Sequence, residues 1–135
     1  MDWKECVDKK VVVKVEEDNN KIKSLSSTAK EKFKASKLLE EKYPSTAITV
    51  LYDCLRMNLE ILALKSKYKV LNHKCYEAFL KEVLKERQLA EEFEFFRKLR
   101  NSVNYYGNKI ISHSTKIKNL KELINKIDVA KQHLT

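Results

Sequence analysis

A single glycine and a single proline in 135 residues constrain this chain more than any other feature of its sequence. Tight turns and hairpins often need glycine, so the sequence disfavours a sheet-rich fold. Leucine, lysine, glutamate and alanine, which are common in the chain, all favour helix. The sequence therefore predicts an all-α fold. We expect an antiparallel up-and-down helical bundle of four to five main helices, preceded by a short N-terminal helix and a strap.

The length fits one domain, with residues 1–19 as the N-terminal helix and strap and residues 20–132 as the bundle. Asp2 and Glu5 have the spacing of a capping box at the start of a short first helix. The β-branched run that follows, Val11–Val15, is more extended in character. We expect it to lie along the bundle as a strap.

Apolar residues recur at helical spacing in the later segments. Pro44 is expected to end the first long helix, with Ser45 or Thr46 capping the next. That next helix, Ser45–Ser66, is apolar nearly all round, which is typical of a central helix in a bundle. The segment Lys65–Lys74 is expected to be a loop.

Two residues mark the end of that loop. Asn72 is the expected cap of the following helix, and His73 lies at its start. His73 is the histidine best placed to join a functional site, but a local hydrogen bond at the helix start is the expectation. The last helix is expected to begin near Ser114.

The charge balance is strongly positive, with 28 Lys and Arg residues against 19 Asp and Glu residues. Such a surplus favours polyanionic partners such as nucleic acid, although most of it is lysine scattered over every helix. The cysteines, Cys6, Cys54 and Cys75, form no CxxC pair, so neither a zinc site nor a disulfide framework is expected. Cys54 lies in an apolar helix and should be a small buried residue.

Several function classes lack the sequence features they need. The single glycine excludes a glycine-rich phosphate loop, and neither an HExxH nor a GxSxG motif is present. No metal site and no cofactor are expected. Met1–Lys10 is too charged for a signal peptide, and the longest apolar stretch, Ala47–Leu64, contains three charged residues. The expected location is the cytoplasm, without a membrane span.

One stretch, Phe93–Gly107, is unlike an ordinary exposed helix. On a helix, four polar side chains share one side and a tyrosine lies at its edge: Arg97, Arg100, Asn101, Asn104 and Tyr105. The other side carries an apolar stripe: Phe96, Leu99, Val103 and Tyr106. Gly107 is expected to end the helix in the left-handed conformation. So many guanidinium and amide groups on one side indicate a surface that binds a planar or anionic ligand.

This stretch resembles the signature helix of the HEPN family of small helical proteins. Family members carry an arginine, often followed by a polar residue such as asparagine, with a histidine shortly after. Arg100 and Asn101 match the first part of that pattern. The positions of the histidine hold Tyr105, Tyr106 and Gly107, so the histidine is missing.

The resemblance extends over roughly residues 20 to 132. The segment Ala47–Arg56, followed by Leu62–Leu64 and Tyr68–Lys69, is similar to the family's long central helix. Asn72 and His73 are similar to the turn that follows that helix. The resemblance therefore implies the helical bundle that composition already predicts.

The resemblance also implies a homodimer, in which the signature helices of two subunits meet across a cleft. In active members this arrangement looks like a metal-independent ribonuclease, whose arginine steadies the phosphate while its histidine moves protons. Here the candidate catalytic residues are Arg100, Asn101, Asn104 and Tyr105. Asn104 cannot titrate, and an ordinary tyrosine pKa near 10 makes Tyr105 a poor base at pH 7.

A second reading is a non-catalytic partner. HEPN proteins are often paired with a small MNT-type nucleotidyltransferase as a toxin–antitoxin couple, in which the transferase can modify a nearby tyrosine with AMP. Tyr105 is the candidate acceptor. A third reading is a nucleotide- or RNA-binding site formed by Arg97 and Arg100, with Tyr52 and Asp53 lining it.

The plainest reading is that the arginines make polar contacts across the dimer, with carboxylates such as Glu94. Between these readings, the missing histidine favours a dimeric HEPN-like module with a degenerate ribonuclease motif. Such a module would be a toxin-like or nucleotide/RNA-binding partner of a nucleotidyltransferase. The alternative is an active metal-independent endoribonuclease that uses Arg100 with Tyr105 or Asn104.

Overall fold

The computed structural model describes residues 1–134, apart from the side chain of Tyr105. It confirms the all-α helical bundle. In chain order the elements are α1 (Trp3–Asp8), β1 (Val12–Lys14), α2 (Asn19–Leu39), α3 (Pro44–Lys65), β2 (Tyr68–Val70), α4 (Lys74–Ala78), a π-helical turn (Phe79–Val83), α5 (Arg87–Tyr106) and α6 (His113–Gln132). Four long helices, α2, α3, α5 and α6, form the bundle.

The central helix is α3, as its apolar sequence predicts. It packs mainly against α2 and α6, and also against α5. Buried residues lie on both of its sides, with Leu51 and Leu55 on one and Ala47 and Cys54 on the other. The main core of the molecule is therefore arranged around α3, and side chains on α3 reach sites on opposite sides of the bundle.

The start of α3 differs from the expectation. Pro44 is the first residue of α3 rather than the end of α2, and this position suits proline because its missing N–H would have had no partner there. The helix begins without a side-chain cap. Ser45 Oγ instead hydrogen bonds to Nε2 of His113 at 3.0 Å, which links the starts of α3 and α6.

The strap is a strand, and the expected loop Lys65–Lys74 contains its partner. β1 pairs antiparallel with β2, so that Val12 lies opposite Val70 and Lys14 lies opposite Tyr68. An extended run must pair its backbone N–H and C=O groups, and β2 provides those partners. The prediction of a loop throughout this segment is therefore wrong.

A disulfide joins Cys6 of α1 to Cys75 of α4, 69 residues apart in the chain. The expectation of no disulfide is therefore wrong. Both cysteines are fully buried, in a small second core that also contains Val12 and Ala78. No sequence spacing signals this pair, because only the packing of α1 onto α4 brings the two sulfurs together. Cys54 is free and buried, as predicted.

Helix α5 ends as predicted, with Gly107 left-handed at φ 67°. Phe96 is buried, and two further members of the apolar stripe, Leu99 and Val103, pack against the core. Tyr106 does not, since 79% of it is exposed. The turn at Gly107 instead brings Ile110 into the core, where it is 5% exposed. Within residues 1–134, no helix has the length and apolar character needed to cross a bilayer.

Candidate functional site

A layer of aromatic rings joins α3, α4 and α5. The ring of Tyr52 stacks on that of Phe93 with 6.2 Å between centroids, and Tyr76 meets Phe93 edge-on at 6.1 Å. These three side chains are buried. His73, which precedes α4, extends the layer with its ring 6.1 Å from that of Tyr76. The layer fixes the relative positions of polar groups that come from three separate elements.

Arg100 lies over this layer. Its guanidinium carbon is 5.5 Å from the centroid of the Tyr52 ring, a distance at which a cation is attracted to the aromatic face. Among the described residues Arg100 forms no ion pair with a carboxylate. Its hydrogen bond to Asn101 Oδ1 is long, at 3.5 Å. The structure thus brings together two of the residues that the sequence singled out, Tyr52 and Arg100, and leaves the arginine's charge uncompensated.

Two further arginines flank Arg100, and the three together form what we call the arginine cluster: Arg56, Arg97 and Arg100. Arg97 Nε donates to both carboxylate oxygens of Glu94 at 3.1 Å. Arg56 Nη1 donates to Glu60 Oε1 at 3.0 Å. Each pair lies within a single helix, the first in α5 and the second in α3. Arg97 therefore meets Glu94 within one chain. Two of the three charges in the cluster are therefore balanced, and that of Arg100 is not.

The arginine cluster acts electrostatically on Tyr52 and His73. Burial raises the pKa of Tyr52 to about 12, even though the three nearby positive charges lower it. Burial also lowers the pKa of His73 from its ordinary value of 6.5, and the arginine cluster lowers it further, while Asp53 opposes the shift. At neutral pH Tyr52 is therefore a hydrogen-bond donor, and the imidazole of His73 is neutral and able to accept a proton.

The Tyr52 hydroxyl has no hydrogen-bond partner among the described residues, although Tyr52 is only 1% exposed. Leaving a buried polar group unpaired costs about 1–3 kcal/mol, so buried hydroxyls are nearly always paired. An orphan donor on a ring that an unbalanced arginine covers is an arrangement that a ligand oxygen could complete.

The other predicted site residues are placed less centrally. The carboxylate of Asp53 pairs with Lys32 of α2 at 3.6 Å, and Asp53 contributes its charge to the site. Asn101 is half-buried beside Arg100, whereas Asn104 is exposed. The side chain of Tyr105 lies outside the described residues, so its catalytic role and its modification remain predictions.

His73 lies at the start of α4, as the sequence predicts. The local hydrogen bond expected of it at the helix start is not observed. That role belongs to Asn72, whose Oδ1 accepts from the backbone N–H of Lys74 at 2.9 Å, as predicted. Nothing in the local sequence around His73 indicates its closeness to the arginine cluster. That closeness arises because α4 packs against α5.

A cavity of about 850 Å³ lies elsewhere, between the end of α2 and the start of α6. One of its basic groups, Lys121, is already bound to Glu40 at 2.7 Å. Among residues 1–134 no group of three or more side chains has the arrangement of a metal site. We therefore take the arginine cluster, with Tyr52 and His73, as the candidate site on its chemistry rather than on volume.

Comparison with protein-family models, with curated proteins and with solved structures finds no match for this chain. The fold by itself does not specify an activity, because one helical architecture hosts many functions. What the chain does must therefore be argued from the arginine cluster and the groups around it.

Proposed function

We propose that this chain is a HEPN-like helical module that binds RNA, or a nucleotide, through a phosphate group at Arg100. The observation that carries the proposal is the unbalanced charge of Arg100 over the ring of Tyr52, whose buried hydroxyl has no partner among the described residues. Arg56 and Arg97 each pair with a carboxylate, although Glu60 also pairs with Lys21, so Arg100 is the member of the cluster whose charge has no carboxylate partner among the described residues. That charge matches the single negative charge of an internal phosphodiester.

The chemistry of recognition follows from the two side chains. A guanidinium presents a planar fork of N–H donors that matches two oxygens of one phosphate. The Tyr52 hydroxyl keeps its proton at neutral pH, so it offers a further donor to a phosphate oxygen. A phosphate held in this way would satisfy both groups that the free protein leaves unpaired.

The affinity of the protein for single-stranded RNA, measured over a series of salt concentrations, tests this proposal. We expect Arg100→Ala to weaken binding about ten- to a hundredfold, since a hydrogen bond to a charged group is worth about 1.5–3 kcal/mol. The salt dependence should also become shallower by about one released counterion. The matched control is Arg87→Ala, an exposed arginine on the same helix. Equal weakening by both variants would mean that only net charge matters, and would refute the site.

The wider assignment is also part of the proposal. The module would be a cytoplasmic homodimer and the toxin-like partner of an MNT-type nucleotidyltransferase, which would transfer AMP to Tyr105. A complex that co-purifies with such a transferase, with an AMP mass shift lost in Tyr105→Phe, is the expected result. An unmodified protein that binds no transferase would leave RNA or nucleotide binding as the role. Disulfides are uncommon in the cytoplasm, but both sulfurs of the Cys6–Cys75 bond are shielded from solvent.

A second candidate function, metal-independent cleavage of RNA, is favoured by one observation: a neutral His73 beside the arginine cluster. His73 would take the proton of the ribose 2′-OH as that oxygen attacks the phosphorus. The bond to the 5′-oxygen would break, and that oxygen would take a proton from water. Arg100 would stabilise the negative charge of the phosphorane-like transition state. The products would be a 2′,3′-cyclic phosphate and a 5′-hydroxyl end.

Cleavage of RNA in the presence of EDTA tests this second function. Wild type should cut, while Arg100→Ala and His73→Asn should lose about 10²–10⁴-fold in rate. The control is His133→Asn, because His133 is exposed at the end of α6. If no variant differs from wild type, the activity belongs to a contaminant. If wild type binds RNA without cutting it, the chain is a binding module.

A further inference from the structure

A second basic region lies on the other side of α3. It is a groove between α2 and α6 with a cavity of about 260 Å³, and α3 forms its floor. We call it the lysine groove, after its basic residues: Lys30, Lys34 and Lys37 on α2, and Lys131 on α6. Its floor residues are Cys54 and Asn58, and each is two positions along α3 from Arg56. Two positions correspond to a rotation of about 200° around a helix. The two sites therefore face away from each other.

The charges of the lysine groove are unbalanced. Asp128 is its acidic residue, and it pairs with Lys131 at 2.8 Å. Lys30, Lys34 and Lys37 form no ion pair among the described residues, and all three are exposed. Like charges three and four positions apart on one helix repel each other. Three such ammonium groups, spanning about 10 Å along α2, provide binding positions for more than one phosphate group.

The interior of the groove is of a different character. Phe33, between the lysines, forms an apolar wall, and Lys37 Nζ lies 5.2 Å from the centroid of its ring. Asn58 is 4% exposed, and its Oδ1 accepts from Lys131 Nζ at 2.6 Å, which fixes that amine at the floor. An aromatic wall beneath a row of ammonium groups suits a ligand that joins a flat ring to a chain of phosphates.

The cysteine in the floor favours binding over covalent chemistry. Burial raises the pKa of Cys54 to about 11, so its thiol keeps its proton at neutral pH. A protonated thiol is a poor nucleophile. Cys54 therefore contributes a small apolar surface to the floor of the groove.

We propose that the lysine groove is a second ligand site, separate from the arginine cluster, which binds a nucleoside di- or triphosphate. The ring of the ligand enters the cavity beside Phe33, and its phosphates lie along Lys30, Lys34 and Lys37. The cavity is slightly smaller than an ordinary ligand pocket, so it takes the ring and leaves the phosphates at its rim.

Isothermal titration calorimetry with ATP and with inorganic triphosphate tests the proposal. All variants carry Arg100→Ala, so that binding at the arginine cluster does not contribute to the signal. We expect Lys30→Gln/Lys34→Gln/Lys37→Gln to weaken ATP binding at least tenfold. The matched control is Lys4→Gln/Lys9→Gln/Lys14→Gln, which removes the same charge from exposed lysines of α1, β1 and the turn between them. It should change the affinity by less than about threefold. Phe33→Leu should weaken ATP binding but leave triphosphate binding unchanged.

Three results would overturn the proposal. Equal weakening by the two triple variants would mean that ATP responds only to net charge. Binding by wild type that disappears in Arg100→Ala would mean that ATP binds at the arginine cluster. Absence of ATP binding in both wild type and Arg100→Ala would refute the second site. It would leave the RNA proposal untouched, because that proposal rests on Arg100.

Discussion

At the scale of single residues, the proposed site predicts that Tyr52 has opposite effects on folding and on binding. Its ring is part of the core, while its hydroxyl is buried without a partner among the described residues. The free protein therefore bears the cost of an unpaired donor, which a bound phosphate would remove. A residue of this kind is expected where stability is given up for function.

Tyr52→Phe should raise the free energy of unfolding by about 1 kcal/mol, because it removes a buried donor that has no partner. The same variant should weaken RNA binding. Urea denaturation and RNA titration measure the two effects. Tyr76→Phe is the matched control, since the Tyr76 hydroxyl, unlike that of Tyr52, interacts with Arg56, and its loss should destabilise the protein. If both variants lose stability alike, the Tyr52 hydroxyl has a partner and the site argument weakens.

His73 gives the protein a predictable response to acid. Its pKa in the folded state lies below the ordinary value of 6.5, so the unfolded state binds its proton first as the pH falls. The free energy of unfolding should therefore fall from about pH 7 downward through the unfolded pKa. This contribution is fully lost below the folded pKa.

Denaturation curves at pH 7 and at pH 5 measure this effect. His73→Gln should lose less stability between the two values than wild type does, because it lacks the group that takes up the proton. His133→Gln, at an exposed position, should follow wild type. A His73→Gln curve parallel to that of wild type would mean that the imidazole titrates alike in both states.

Sequence reasoning recovered part of this site. The chemistry of Arg100 and Asn101 is visible in the chain because both lie on one helix, where spacing fixes the face. The closeness of His73 to the arginine cluster and the orphan hydroxyl of Tyr52 depend on the packing of three elements. No local pattern records such packing.

At the scale of elements, the covalent link between α1 and α4 has the largest expected effect. Cys6→Ser/Cys75→Ser should lower the free energy of unfolding by about 4 kcal/mol, because the disulfide closes a long loop and restricts the unfolded chain. Denaturation with and without dithiothreitol measures it. Reduced wild type should match the double variant, and reductant should leave the double variant unchanged. A wild type that is insensitive to reductant would mean that the bond is absent in solution.

The long helices could be read from the sequence and the small sheet could not. α3 can be predicted because its 22 residues are apolar on nearly all sides, a signal long enough to identify a central helix. β1 and β2 have three residues each and pair over a long separation. Strands that short carry no periodic signal, so their pairing could not be read from the sequence.

At the scale of the whole molecule, apolar side chains on and after α5 are exposed. Phe95 is 53% exposed, Tyr106 79% and Ile111 73%. Exposed apolar groups that lie close in sequence to the signature motif suit an interface between two copies of the chain. The proposed homodimer would bury this surface.

Sedimentation velocity over a range of concentrations tests the dimer. Wild type should sediment as a dimer, and Phe95→Glu/Tyr106→Glu should sediment as a monomer, because buried unpaired carboxylates are costly at an interface. Leu38→Glu, at an 86% exposed position on α2, should remain dimeric. A wild type that is monomeric throughout would exclude a shared cleft. Binding of one phosphate per chain would still be possible.

The Cys6–Cys75 bond also makes the first half of the chain a closed covalent ring, whose closing residues are 69 positions apart. The turn between α2 and α3 lies inside this ring, and Tyr43 in it is 61% exposed. A trypsin-like protease that cuts after Lys42 would open the ring without dividing the molecule. The nicked protein would run at full size on a gel until a thiol separated its pieces. Damage at this turn would thus leave residues 1–42 attached to the fragment that carries the whole arginine site.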